Sequence, residues 1–145
     1  MGPAALLESA PTPSSIHRFA EKHFSPYIPG FKRNENDYCI QDRKIGGNAQ
    51  YISKNRFVHH TSFLWDYDPK KMSKLKTPPR MPNYRNHRAH DDFIIPLKPH
   101  FPTPSHFFDR LKSTLLENYH CNTINLNRLE SIKNRLCRIA TFIDN

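Results

Sequence analysis

Asp42-Arg43-Lys44-Ile45-Gly46-Gly47-Asn48-Ala49-Gln50-Tyr51-Ile52-Ser53, followed across Lys54-Asn55 by Arg56-Phe57-Val58-His59-His60-Thr61-Ser62-Phe63-Leu64-Trp65, decides the fold. The second run is β-branched and aromatic and reads as a strand; Lys44–Ser53 has enough apolar and small residues for another. Two residues between them suit a hairpin. Upstream, Asn34-Glu35-Asn36-Asp37-Tyr38-Cys39-Ile40 is a polar turn running into a short strand, so the spacing predicts a three-strand antiparallel meander with Lys44 at a strand start. Only four glycines occur in the chain, and Gly46 and Gly47 are two of them. A glycine inside a strand marks either a bulge or a close backbone approach, and the pattern leaves both readings open. His59 and His60 alternate across their strand, one facing in and one out.

Helices flank this sheet. Ser14 or Ser15 caps a segment over 15–25, where Ile16, Phe19, Ala20 and Phe24 recur at helical spacing, with a loop-borne aromatic cluster as the alternative. Pro26 and Pro29-Gly30 stop it. Asp68 and Pro69 open a short helix over Lys70–Leu75, and a further turn of helix is expected near Asp91–Leu97. Pro102-Thr103-Pro104-Ser105 leads into the best helix, 105–119, with Phe107, Phe108, Leu111 and Leu115 on one face. A last helical stretch, 125–139, carries Leu126, Leu129, Ile132, Leu136 and Ile139. The fold class is α+β, with residues 1–13 as a lead-in and 121–145 as a C-terminal helical extension.

At 145 residues the chain is at most one domain. Its formal charge of +9 favours an anionic partner without choosing among nucleotide, nucleic acid, membrane surface or acidic protein. Three widely spaced cysteines form no disulfide framework or CxxC zinc pattern. No apolar run approaches the ~20 residues needed to span a bilayer. The start lacks the basic and apolar regions of a signal peptide, Glu8 argues against a transit peptide, and Leu6 breaks a myristoylation motif. A reduced compartment, cytoplasm or mitochondrion rather than the secretory route, is expected.

Several constellations admit a chemical and a structural reading. Lys44 beside Gly46-Gly47 can meet a carboxylate or phosphate as a point charge, although GxxxxGK followed by Ser or Thr is absent. His87, His90 and Asp91 could hold a metal, but no second cluster accompanies them. Cys39 could be a nucleophile near a histidine or a buried structural thiol. The basic stretch Lys70–Arg88, interleaved with Tyr84, is either an anion track or a solvated face; no RNP motif, zinc finger or recognition-helix pattern supports nucleic acid beyond charge.

Asn36-Asp37, then Asp42-Arg43-Lys44-Ile45-Gly46-Gly47-Asn48-Ala49-Gln50, then His59-His60-Thr61-Ser62-Phe63-Leu64 resemble the lipoate-protein ligase A family of the biotin/lipoate ligase (BPL/LPL) catalytic-domain superfamily. The likeness continues through Trp65-Asp66-Tyr67, Met72, Leu75, Pro82, Tyr84-Arg85, Arg88, His90 and Phe93, in the manner of the plant and protist forms, and covers about residues 14–120. It implies an enzyme that adenylates lipoate with Mg-ATP and passes the lipoyl group to a lysine of an acceptor domain, in a 2-oxoacid dehydrogenase or the glycine cleavage H protein. It implies that Lys44 contacts the lipoyl carbonyl and adenylate phosphate, and that Gly46, Gly47 and Ala49 keep that wall small. Asn36, Asp37 and Asn48 would lie by the nucleotide, Asp37 at the Mg end, with His59 and His60 shaping the pocket. The ancestral substrate stays open among lipoate, octanoate and biotin.

The family domain has an earlier half containing paired arginines followed by three glycines, and no Arg-Arg pair occurs in these 145 residues. The expectation is therefore a partial, truncated BPL/LPL domain that forms no lipoyl-adenylate at a useful rate by itself. Its exposed strand edge and apolar face would invite a second chain supplying the missing half.

Overall fold

A computed structural model describes residues 10–54 and 56–121. Helix α1 (Pro13–Phe24) precedes a sheet of four antiparallel strands in sequential order, β1 (Phe31–Asn34), β2 (Asp37–Ile40), β3 (Arg43–Ser53) and β4 (Arg56–Phe63). Four short helical pieces follow, α2 (Pro69–Met72), a 3-10 turn at Asn83–Arg85, α3 (His90–Phe93) and a second 3-10 turn at Lys98–His100, before α4 (Pro104–Asn118).

The meander has one strand more than the spacing predicts. The tract 31–40 is itself a hairpin, with Phe31 opposite Ile40 and Asn34 opposite Asp37, because Glu35 adopts a left-handed φ of 51° and closes the turn in two residues. A charged residue there gives no turn signal comparable to Asn-Gly. The helix boundaries agree better. The cap of α1 is Thr12 rather than Ser14 or Ser15: its hydroxyl accepts from the Ser15 N–H at 3.1 Å while the Ser15 hydroxyl accepts from the Thr12 N–H at 2.9 Å, a reciprocal capping box. Asp68 caps α2 as expected. Thr103 caps α4, its hydroxyl accepting from the His106 N–H. The expected extension 121–145, with its helix over 125–139, lies outside the described residues beyond Cys121.

The core sits on one face of the sheet, where Ala20 and Phe24 of α1, Tyr38, Ile45 and Phe107 of α4 are buried together. Aromatic edges do much of the filling: Phe24 meets Phe63 edge-on at 5.1 Å, and Phe107 meets Phe63 at 5.2 Å and Phe101 at 5.1 Å. An Arg33–Glu21 ion pair of 2.9 Å ties β1 to α1. Of the α4 face expected to be apolar and inward, Phe107 is buried, Leu111 and Leu115 are half-buried and Phe108 is exposed.

The register of β2 on β3 shifts between Tyr38 and Cys39: Tyr38 lies opposite Gly46, but Cys39 lies opposite Lys44, leaving Ile45 as an extra residue. That is a β-bulge. The following chain seals it, with the Leu64 N–H bonded to the Ile45 carbonyl at 2.7 Å and the Ile95 N–H to the Lys44 carbonyl at 2.9 Å.

Candidate functional site

Strict alternation would put Lys44 on the same face as Gly46, toward the core. The bulge at Ile45 removes that parity. Ile45 and Gly46 point inward, and Lys44 shares the opposite face with Asp37, Cys39 and Gly47. There the Lys44 ammonium lies 2.8 Å from Asp37 Oδ1, its side chain one-third exposed while that of Asp37 is mostly covered. The Tyr84 hydroxyl donates to the other carboxylate oxygen, Oδ2, at 2.9 Å and accepts from the Cys39 thiol at 3.5 Å. Thiol, phenol, carboxylate and ammonium thus form one connected line. Burial, the hydrogen bonds with Cys39 and Asp37, and the Asp37 charge raise the Tyr84 pKa, so the phenol stays a donor. Burial likewise pushes the Cys39 thiol up.

The two glycines have different reasons to be glycine. A Cβ on Gly46 would lie 2.4 Å from the Ser62 carbonyl oxygen and 3.3 Å from Phe63 Cα, backbone atoms of β4 that cannot swing away. A Cβ on Gly47 would find only ordinary contacts, 3.8 Å to Lys44 Nζ and 3.9 Å to Asp37 Oδ1. Gly46 therefore serves the hairpin, and Gly47 keeps open the space above the ion pair.

The remaining expected site residues divide between the faces. Asn48 donates its side-chain amide to the Asn36 carbonyl at 2.6 Å, tying β3 to the β1–β2 turn. Ala49 and His60 are paired across β3 and β4 and exposed, and His60 Nε2 lies 3.2 Å from Ser62 Oγ. His59 points the other way, toward the core, where its Nε2 is 2.8 Å from the Tyr38 hydroxyl and its ring meets His17 at 6.1 Å. Burial first, then the His17 and His60 charges, hold its pKa below the usual 6.5. Cys39 and His59 occupy opposite faces and form no dyad, and the polar contacts of Cys39 and His60 are with Tyr84 and Ser62 rather than with each other.

As a magnesium ligand, Asp37 already has both oxygens engaged by Lys44 and Tyr84, so a cation would have to displace one of them. His90 Nδ1 sits 3.3 Å from an Arg85 guanidinium nitrogen, an unfavourable place for a second cation. Among the described residues no group of three or more His, Cys, Asp or Glu is placed to hold a metal ion.

Residues 83–93, which the sequence offers as part of a basic stretch, as metal candidates and as part of the resemblance, complete the site in another way. Arg85 is buried, with its guanidinium 4.7 Å from the Phe93 ring centre, and Arg88 is 5.5 Å from the same ring. Arg88 also reaches the Asp42 carboxylate and carbonyl at 2.9 Å each. Arg43 caps the Asp91 and Ile94 carbonyls at 2.5 and 2.6 Å. These contacts lay the segment along β2 and β3 and aim Tyr84 at Asp37. The basic stretch therefore splits: Arg85 and Arg88 are internal struts, while Lys70, Lys71, Lys74, Lys76 and Arg80 are exposed. The sequence marks Tyr84 as the aromatic within the basic stretch and as part of the resemblance, but gives no sign of its bond to Asp37.

A second concavity lies on the core face between α1, β4 and α4. It has a volume of about 950 Å³ and is lined chiefly by apolar side chains, including Phe57, Phe63, Trp65, Phe108, Leu111 and Leu115.

The segment that carries Asp37, Lys44, Gly47 and His60, on β2, β3 and β4, is matched by a family profile. Residues 16–119 fit the profile described as lipoyl protein ligase A/B catalytic domain. The chain belongs to that family. Among relatives, it is 38% identical over 96 residues to a Plasmodium falciparum (isolate 3D7) protein named inactive lipoate–protein ligase 2. That match takes in 56% of this chain and 25% of the relative, so the chain spans about a quarter of the length of the curated relative it matches. No solved structure matches. A lipoyl protein ligase A/B catalytic domain agrees with the expected α+β class, and the four-stranded open sheet found here is consistent with part of such a domain.

Proposed function

We propose that this domain presents one wall of a lipoyl-adenylate site, with Lys44 as the group that meets the acyl carbonyl and phosphate, and that these 145 residues alone do not ligate. The observation that carries the reading is the Lys44–Asp37 pair beneath the open space at Gly47. An ammonium held by a carboxylate that a phenol in turn fixes is preorganised: it need not reorient when negative charge develops on a phosphate or carbonyl oxygen beside it. Asp37 and Tyr84 supply the orientation; Gly47 supplies room. ATP and lipoate are the substrates that family membership suggests, and Mg²⁺ would neutralise phosphate charge when bound, with Asp37 joining it only by releasing one of its present donors. The acceptor would be the lysine of a lipoyl domain in a 2-oxoacid dehydrogenase or in the glycine cleavage H protein.

The lack of an Arg-Arg pair in the chain and the word inactive in the relative's name both favour binding without turnover. The test is direct. Titration with a non-hydrolysable lipoyl-adenylate analogue is expected to give saturable binding that Lys44→Ala weakens at least tenfold, while pyrophosphate release from lipoate and ATP stays at background. Turnover abolished by Lys44→Ala would overturn the second half of the proposal, and binding indifferent to Lys44→Ala the first.

One observation favours a second reading, in which the domain completes a ligase with another chain. The outer edge of β4 has no strand beside it among the described residues, and Tyr51 and Val58 on the Lys44 face are more than half exposed. A partner carrying the arginine and glycine loop would cover that face. Ligation that appears only in a co-purified complex supports this reading.

A further inference from the structure

The Lys44–Asp37 pair lies between two turns of the sheet, and one later segment reaches both. Asp37 opens β2 just after the turn at Glu35, and Lys44 follows just after the turn at Asp42. Residues 84–88 span that interval. At one end the Tyr84 N–H donates to Glu35 Oε1 at 3.2 Å, and at the other the Arg88 guanidinium reaches Asp42. Tyr84 packs its ring 5.2 Å from that of Phe93 and sets its hydroxyl on Asp37. The phenol can hold that position only while the backbone behind it is fixed.

Arg88 supplies that fixing. Its Nη1 donates to Asp42 Oδ2 at 2.9 Å, its Nη2 to the Asp42 carbonyl at 2.9 Å and the Tyr84 carbonyl at 3.0 Å, and its Nε to the Arg85 carbonyl at 3.1 Å. The side chain is mostly covered, and its guanidinium lies over the Phe93 ring. Two of the four oxygens belong to the turn before Lys44 and one to Tyr84, so a single side chain joins the head of β3 to the residue that orients Asp37. We propose that Arg88 is a positioning residue for Lys44, acting through Tyr84: its fork holds the Tyr84 backbone against the Asp42 turn, the phenol stays on Asp37, and Asp37 stays under the ammonium. Its consequence for a bound acyl-adenylate rests on the role proposed for Lys44; its consequence for Tyr84 does not. Shape rather than charge is what the position requires. Arg88→Lys keeps a cation beside Asp42 but replaces a planar fork by a point, which cannot serve oxygens of both chain segments in the same geometry.

The test is a double-mutant cycle on the full chain, read by binding of a non-hydrolysable lipoyl-adenylate analogue. Arg88→Lys is expected to weaken binding roughly fivefold when Tyr84 is present and less than about twofold in Tyr84→Phe, because residues that act through one contact are coupled. Equal losses in the two backgrounds would overturn the proposal, since a loosened fold weakens binding whatever stands at position 84. Affinity kept in Arg88→Lys would overturn it too, for charge alone would then suffice. A second readout needs no ligand. In NMR spectra of the chain with isotope-labelled tyrosine rings, the signal missing from Tyr84→Phe is that of Tyr84. Burial and the bonds to Cys39 and Asp37 keep this phenol protonated, so in the wild-type chain it should stay so past the ordinary tyrosine value of about 10, and in Arg88→Lys titrate near that value. Identical titration in the two chains sinks the idea. Should Arg88→Lys not fold, Asp42→Ala cuts the same clip from an exposed turn position, and the Tyr84 signal must move in the same direction. If analogue binding ignores Lys44→Ala, the adenylate-site role fails, and the Tyr84 signal alone decides for or against Arg88.

Discussion

The two faces of the sheet are built on different physics. The core face is aromatic and non-directional: Phe24, Tyr38, Phe63 and Phe107 meet edge to face, and the area removed from water provides the stability. The other face is directional, a line from the Cys39 thiol through Tyr84 and Asp37 to Lys44 in which each group limits its neighbour. Ile45 is the hinge between them, buried in the core while its bulge turns Lys44 outward. The first face tolerates shape changes poorly, and the second tolerates charge changes poorly.

The sharpest way to separate them is truncation of a core ring. Phe107→Ala should destabilise by about 3–5 kcal/mol, the usual range for a buried phenylalanine, measured by urea unfolding; a loss below ~1 kcal/mol would mean that α4 is not seated on the sheet. Next in size is a contrast between neighbours. Gly46→Ala should cost about 1–3 kcal/mol through overpacking against the β4 backbone, whereas Gly47→Ala should stay within ~0.5 kcal/mol yet weaken binding of a lipoyl-adenylate analogue. Equal stability losses at the two positions would show that the bulge does not divide the faces as described.

Removing the phenol hydroxyl tests the directional face. Tyr84→Phe should cost about 1–2 kcal/mol by leaving a mostly covered carboxylate with one donor fewer, and should lower analogue affinity without touching any ligand atom in this arrangement. Unaltered affinity would reduce Tyr84 to packing alone.

The smallest effect is a pH dependence on the core face. His59 and His17 are both held below their usual 6.5 chiefly by burial, so they are neutral when folded. Their contribution is complete above about pH 6.5 and is lost as pH falls toward the folded-state values, because the unfolded chain takes protons that the native state refuses. Denaturation midpoints should therefore fall between about pH 6.5 and 5, less steeply in His59→Gln. A flat profile would place these rings in contact with solvent.

Much of this was readable in the chain. The β-branched run Arg56–Trp65, the glycine-bearing run before it, and the proline-opened helices at 69 and 104 follow from local preferences and reappear at nearly the expected boundaries. The order Asn36-Asp37, Lys44, Gly46-Gly47, His59-His60 was enough for the family. What local pattern could not supply were features set by distant neighbours. The β1–β2 hairpin closes on Glu35, a residue without turn preference, because Phe31 and Ile40 have a core to face. Tyr84 reaches Asp37 only because Arg85, Arg88 and Arg43 anchor a segment more than forty residues away.

The sequence by itself determined that Lys44 precedes two glycines at the head of a strand, and left those glycines as either a bulge or a close approach. Only the tertiary structure decided between them: the bulge falls on the neighbouring Ile45, and the close approach falls on Gly46 alone. An extra residue at Ile45 breaks the period of two, so Gly46 is pressed against the β4 backbone while Gly47 opens onto Lys44 and Asp37. Pairing register is a property of two strands together, and neither strand's sequence contains it alone.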